Sequence, residues 1–180
     1  MRIPPQAAPL FNCTPESIVN DTKRLIEASC KVQDQVVQTV SLDSTTFADV
    51  LLPLAQAENA LQIESSILCF YKEVSSDPKL RDASREAQKL LNSFHSEAGM
   101  REDLFQLVDA VAKRAVDLDT ESRLLLQRSY KDFIRDGLGL PSGPHRDRFK
   151  EIRQRISSSR WSFRRTRTRT GVSSGCVFRS

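Results

Sequence analysis

The sequence holds two histidines, one tryptophan and six glycines in 180 residues, and each scarcity removes a class of function. His95 and His145 stand 50 positions apart. Neither belongs to an HExxH or HxxE motif and neither has a cysteine nearby, whereas catalytic zinc takes about three protein ligands in set geometry. Both are expected to be surface or structural. The glycines form no phosphate-binding fingerprint. Gly137-Leu138-Gly139-Leu140 has the start of one, but a helical pattern precedes it and Pro141 follows, where the fingerprint needs a strand before and a helix N-terminus after. A helix C-cap and connecting turn is the expectation.

Other absences narrow the field further. No apolar run is long enough to span a bilayer. The opening Met1-Arg2-Ile3-Pro4-Pro5 lacks the apolar core of a secretory signal. Cys176 lies fifth from the end, where a prenylation box needs the fourth position. These readings predict a cytoplasmic protein with no membrane partner. Cys13, Cys30, Cys69 and Cys176 form no CxxC pair, and Cys30 and Cys69 fall inside helical patterns, so buried reduced thiols are expected rather than a disulfide framework. Asn12-Cys13-Thr14 is followed by Pro15 and Asn20-Asp21-Thr22 falls mid-helix, so both are chance matches to the glycosylation sequon. The acid pairs Glu102-Asp103 and Asp117/Asp119 sit at helix starts, where they complement the helix dipole. General acid–base work would need a pocket that shifts their pKa, and nothing in the sequence supplies one. No catalytic, cofactor-binding or metal-ligating residue is assigned. No stretch alternates with period two, so no strand is expected, and no internal repeat is visible.

What remains is a globular composition, 39% hydrophobic and 28% charged, which argues against general disorder. The net charge of +4 is unevenly placed. Six arginines (160, 164, 165, 167, 169 and 179) and no acid lie between Arg160 and Ser180, leaving 21 of the 27 basic residues against all 23 acids elsewhere. The body therefore gives no reason to expect nucleic acid as a partner. The tail interleaves Trp161 and Phe163 with arginines, which matches a weak polyanion-binding patch. A solvated, disordered basic tail without specific nucleic-acid binding is the expectation.

Helical patterning fills the rest. Residues 1–13 are proline-rich and read as extended. Thr14-Pro15-Glu16 supplies a cap, a first-turn proline and a first-turn acid. A helix to about Val40 buries Ile18, Thr22, Leu25, Ser29, Val32 and Val36. Thr46 caps a short helix over Phe47–Leu52, which Pro53 ends or kinks. A longer helix over Leu54–Val74 carries two stripes, Leu54/Ala57/Leu61/Leu68/Tyr71 and Ala60/Ile63/Ile67/Phe70/Val74, which predicts two neighbours. Asp77 caps the next helix, with Leu80, Ala83, Ala87, Leu90 and Phe94 inward and Gly99 as its break. Leu104, Leu107, Val108, Val111 and Ala115 continue the pattern. Asp119 or Thr120 caps a fifth helix that buries Leu125, Leu126, Tyr130 and Phe133 and ends at Gly137–Pro141. A last helix from Pro144 carries Phe149, Ile152 and Ile156 on one side. The fold class is all-α, an antiparallel helical bundle.

Several stretches of this body resemble one family. Pro4-Pro5-Gln6 leading to Phe11, Thr14-Pro15-Glu16-Ser17, and Phe47 with Val50-Leu51-Leu52-Pro53-Leu54 are similar to the opening of the thimet-oligopeptidase, neurolysin and saccharolysin family. Leu80-Arg81-Asp82-Ala83-Ser84 with Met100-Arg101-Glu102-Asp103 resembles its "RDAS…MRED" helix. Phe133-Ile134-Arg135-Asp136-Gly137-Leu138 with Leu140-Pro141 resembles its "RNGL-x-LP" turn. The resemblance covers about residues 4–157 and is of the fungal type. It implies the N-terminal part of a neurolysin-like fold, in which two helical lobes flank a deep channel. It also implies a zinc metalloendopeptidase acting on short peptides, whose distal lobe carries HExxH and a downstream glutamate. None of those catalytic residues maps onto this sequence, so the chain alone is expected to be inactive and without a cofactor.

After Ser157 the similarity stops. The family continues with a stretch like "LSxEFQKNLNEENGG". If the codons for Trp161 to Val172 are read from the last base before TGG, permitted choices yield Met-Glu-Phe-Gln-Lys-Asn-Ser-Asn-Glu-Asn-Gly-Gly. The expected organisation is therefore an extended segment at 1–13, a helical domain at 14–157 and a frame-shifted Arg/Thr-rich tail at 158–180. A stand-alone helical interaction module is the alternative, and a nucleic-acid binder acting through its tail a third. Exposed apolar stripes discriminate the first two, because a fragment leaves faces without an internal partner. Such faces also predict non-specific self-association.

Overall fold

Thr14 starts the first helix as a capping box. Its hydroxyl accepts from the Ser17 N–H at 3.1 Å, and the Ser17 hydroxyl accepts from the Thr14 N–H at 3.0 Å, which satisfies two backbone donors that helix geometry leaves over. Helix α1 then runs Pro15–Thr39. The same logic sets three further starts. Thr46 caps α2 (Phe47–Val74), Asp77 caps α3 (Pro78–Ala98) and Asp119 caps α5 (Thr120–Phe133), with α4 (Glu102–Arg114) between the last two. The computed structural model describes residues 9–114, 117–153, 155 and 156; the expected tail at 158–180, Cys176 and Ala115 lie outside them. The architecture is all-α, with no strand among the described residues.

Cross-helix contacts fix the directions. The Cys13 N–H donates to the Tyr71 hydroxyl at 2.9 Å and Arg24 meets Glu64 at 3.1 Å, so the start of α1 lies beside the end of α2. Ser84 reaches Leu68 and His95 reaches Glu58, so α3 is antiparallel to α2. Phe105 stacks near Tyr130 and Phe133, with ring centroids 5.7 and 5.9 Å away, so α5 folds back along α4. Two apolar clusters result. Ile18 and Leu25 of α1 pack with Leu61, Leu68 and Tyr71 of α2 and with Ala87, Leu91 and Phe94 of α3. At the other end, Val36, Val50 and Leu51 pack with Leu107, Val108 and Val111 of α4 and Leu126 of α5.

The helix ends match the sequence reading closely; several interior assignments do not. Pro53 neither ends nor splits its helix: α2 is continuous from Phe47 to Val74. Proline forfeits one ladder bond and crowds the turn before it, and here burial of Val50 and Leu51 on one side and Leu61 on the other outweighs that loss. The second stripe of α2 is mostly uncovered, with only Ile67 packed partly against the first core cluster. Ile63 is 62% exposed, Phe70 47% and Val74 54%, so α2 is buried along one face only. In α3 the buried position is Leu91 rather than Leu90, in line with Ser84, Ala87 and Phe94. In α5 only Leu126 is buried, with Leu125, Tyr130 and Phe133 half-exposed. Cys13, Cys30 and Cys69 are free and half-exposed rather than buried.

The fold divides after Asp136 into two units. In the second, Gly137 adopts φ +104°, and a Cβ there would meet the Phe149 ring at 2.6 Å. Only glycine takes that backbone without strain. This residue closes the π-turn Ile134–Leu138 that follows α5, as the C-cap reading predicts. Helical backbone resumes at 144–153. Arg146 is buried there and donates from Nε to the Leu140 carbonyl at 2.9 Å. Ile152 and Ile156 are exposed.

Candidate functional site

The residues that could carry chemistry are dispersed. His95, near the C-terminal end of α3, has its Nε2 3.4 Å from Glu58 of α2; the imidazole holds the Glu58 carboxyl below its usual range. His145 is exposed in the second unit. Among the described residues, no three of His, Cys, Asp or Glu gather as a metal-ligand group. A zinc ion would therefore find at most the His95–Glu58 pair in the first unit, short of the three or four donors that zinc takes. The described residues therefore offer no donor set that fits zinc. Burial raises the thiol pKa of Cys30 and Cys69, which favours the unreactive protonated form. An open surface depression is lined by Leu124, Gln127, Arg128, Lys131 and Asp132 on the outward face of α5 and by Arg135 just beyond it.

The short motifs singled out in the sequence act as clasps between helices. Arg81 donates to the carbonyls of Ser75 (2.9 Å) and Ser76 (2.7 Å) just past the end of α2, where a cation also suits the helix dipole. Asp82 pairs with Arg85 on the surface. Ser84 is fully buried; its hydroxyl donates to the Leu68 carbonyl at 2.7 Å and accepts from the Lys72 N–H at 3.1 Å. Those two groups are one step of the α2 ladder, so α3 is keyed into the backbone of α2. Nothing larger than serine or alanine fits such a close crossing, and Ala87 one turn on is also fully buried.

The second motif does comparable work between α1 and α4. Arg101 grips Asp103 through two bonds, at 3.1 and 2.6 Å, and reaches Asp34 of α1 at 2.5 Å. Paired charge-assisted bonds of this kind are among the stronger polar contacts in proteins. The Arg101 guanidinium holds the Asp103 carboxyl below its usual range, aided by the Leu104 N–H; Asp103 in turn raises the Arg101 pKa. The third motif places the Asp136 carboxylate directly over Gly99, where a Cβ would fall 1.9 Å from Oδ2. Sequence reasoning missed Ser84 and Gly99 as contact points. Their signal was the motif itself, since a mid-helix serine otherwise reads as solvent-facing. It also missed Arg114, which donates to the Leu42 carbonyl and to Thr45.

No family model matches the chain, but individual proteins do. Saccharolysin of Saccharomyces cerevisiae is 31% identical over 165 residues, which is 89% of this chain and 23% of saccharolysin. Oligopeptidase PhomG' of Diaporthe leptostromiformis is 31% identical over 156 residues, 84% of this chain and 13% of its own length. The thimet-like oligopeptidase of Dictyostelium discoideum is 26% identical over 153 residues, 82% and 22% respectively.

The chain belongs to the thimet oligopeptidase family.

It spans less than a quarter of the length of each of these relatives. The stretches that carry the family likeness, around Ser84, Arg101 and Gly137, are the ones that lock helices together.

Proposed function

We propose that the chain is the N-terminal helical part of a zinc metalloendopeptidase that degrades short peptides in the cytoplasm, and that it lacks the HExxH lobe and is inactive alone. One observation carries this reading. The relatives align over 82–89% of this chain but over only 13–23% of their own length. The absence of a fitting donor set around His95 is consistent with zinc being held elsewhere in an intact relative. No helix among the described residues is long and apolar enough to cross a membrane. Residues 158–180 are, on this reading, the product of a shifted frame, and the DNA beyond the Ser157 codon tests that directly. Metal content tests the main proposal. After purification in zinc-containing buffer and exhaustive dialysis, mass spectrometry is expected to find no stoichiometric zinc; one tightly held zinc per chain would overturn the assignment.

A further inference from the structure

The outward stripe of α2 has the spacing of a pairing seam. Ala60, Ile63, Ile67, Phe70 and Val74 follow one another at intervals of three, four, three and four. That is the repeat which keeps an apolar line facing a second helix. The stripe runs about 21 Å, at 1.5 Å of rise per residue. It borders the face carrying Leu61, Ser65 and Leu68, which is buried against α1 and α3, and Ile67 at its centre is half-buried against that core while Ile63, Phe70 and Val74 stay exposed. At its end Phe11 extends it, with ring centroids 6.0 Å from Phe70 and 5.5 Å from Tyr71.

We propose that this stripe pairs with the same stripe of a second copy of the chain, the two α2 helices running antiparallel about a two-fold axis.

The flanks favour a second copy over a charged partner. Asn59, Ser66 and Glu73 border the stripe on one side and Glu64 and Tyr71 on the other. Both acids already have a cation, Arg24 at 3.1 Å from Glu64 and Lys72 at 3.8 Å from Glu73. Antiparallel packing seats Ile63 against Val74 of the other copy and Ile67 against its Phe70. It brings Ser66 opposite Glu73 and sets Glu64 over the position of the buried Tyr71, so no like charges meet across the seam. It also lays the bulky Phe11 end of one copy toward the small Ala60 end of the other. A parallel pair would stack Phe70 on Phe70 and leave Ala60 facing Ala60. Opposed helix dipoles favour the antiparallel choice as well.

Area sets the strength. The exposed parts of Leu10, Phe11, Ile63, Phe70 and Val74 amount to something on the order of 500 Å² per chain. A standard stable interface takes about 800 Å² per partner. The pair is therefore weak, with a dissociation constant of roughly 1–100 μM.

Sedimentation equilibrium of the full chain over a concentration series reads this directly. A monomer–dimer equilibrium in that range is expected. Ile63→Glu and Phe70→Glu should each weaken it at least about tenfold while helical circular dichroism stays unchanged, because neither side chain is in the core. Leu124→Glu, on the exposed face of α5, should leave it unaltered. Ser66→Lys gains Glu73 of the other copy and should tighten the dimer by about two- to fivefold, whereas Ser66→Glu should weaken it and Asn59→Lys should not change it. A chain that stays monomeric to about 0.5 mM, well above that range, overturns the proposal, as does a dimer indifferent to Ile63→Glu and Phe70→Glu. Tightening by Asn59→Lys in place of Ser66→Lys would mark a parallel pair and overturn the antiparallel seam.

Discussion

Replacing Ser84 by leucine is expected to lower stability by about 3 kcal/mol, the sum of overpacking a filled crossing and breaking two hydrogen bonds. Ser84 has no exposed surface, so the added carbons can be housed only by moving α3 away from α2. That movement strips the Lys72 N–H and Leu68 carbonyl of the hydroxyl that bridges them, and loosens Leu61, Leu68, Leu91 and Phe94 together. Ser84→Ala is the control. It removes the hydroxyl without adding volume, and the two backbone groups can close on each other as an ordinary ladder bond, so about 1 kcal/mol is expected. Denaturant unfolding followed by circular dichroism separates the two. For a chain of this size the leucine variant should melt roughly 6–12 °C lower. Equal losses for alanine and leucine would mean that the crossing is not tight and that the hydroxyl alone matters.

Arg101→Ala is expected to cost about 1–2 kcal/mol at neutral pH, after discounting for the partial exposure of its acidic partners. The guanidinium joins the end of α1 to the start of α4 through Asp34 and Asp103, and its removal leaves two carboxylates facing each other. The pH dependence has a definite sign. The Asp103 carboxyl is held below its usual range in the folded chain, so the folded state binds its proton less readily than the unfolded state. Its contribution is fully present above the ordinary carboxyl pKa of about 4 and is lost as pH falls through the lower folded value. The gap between wild type and Arg101→Ala should therefore be widest near neutrality and narrow below about pH 4. Unfolding curves at neutral pH and near pH 2.5 check this. A gap that stays constant or widens in acid would show that Arg101 acts by packing alone.

Much of this fold is written in local chemistry. Thr14, Thr46, Asp77 and Asp119 each sit one residue before a helix, and each cap is made by that residue's own side chain within three positions. Such signals need no tertiary knowledge. The stripes of α1 and α4 were nearly as legible, because each helix has one apolar face, although Val32 of α1 is half-exposed rather than buried. Of the two outcomes expected at Pro53, a break does not occur, because its local penalty competes with burial of Val50, Leu51 and Leu61, which only the assembled bundle supplies. Leu90 and Leu91 are adjacent apolar residues, and periodicity could not choose between them until Ser84 fixed the rotation of α3. Ser84 itself was invisible as a core residue, since a hydroxyl in a helix becomes buried only where a neighbouring backbone offers it partners. The two stripes of α2 were read correctly as apolar, but only the structure reveals that just one is covered. As for function, the two isolated histidines pointed away from chemistry, and the resemblance of short stretches supplied the family that the relatives establish.

The most direct measurement is cleavage of internally quenched short peptides by the purified 180-residue chain, with and without added zinc. The expected result is no hydrolysis above the buffer blank in either condition, across peptides that an intact relative cuts. Hydrolysis that tracks the purified chain and is abolished by a chelator would contradict the reading of this chain as the non-catalytic part of an oligopeptidase.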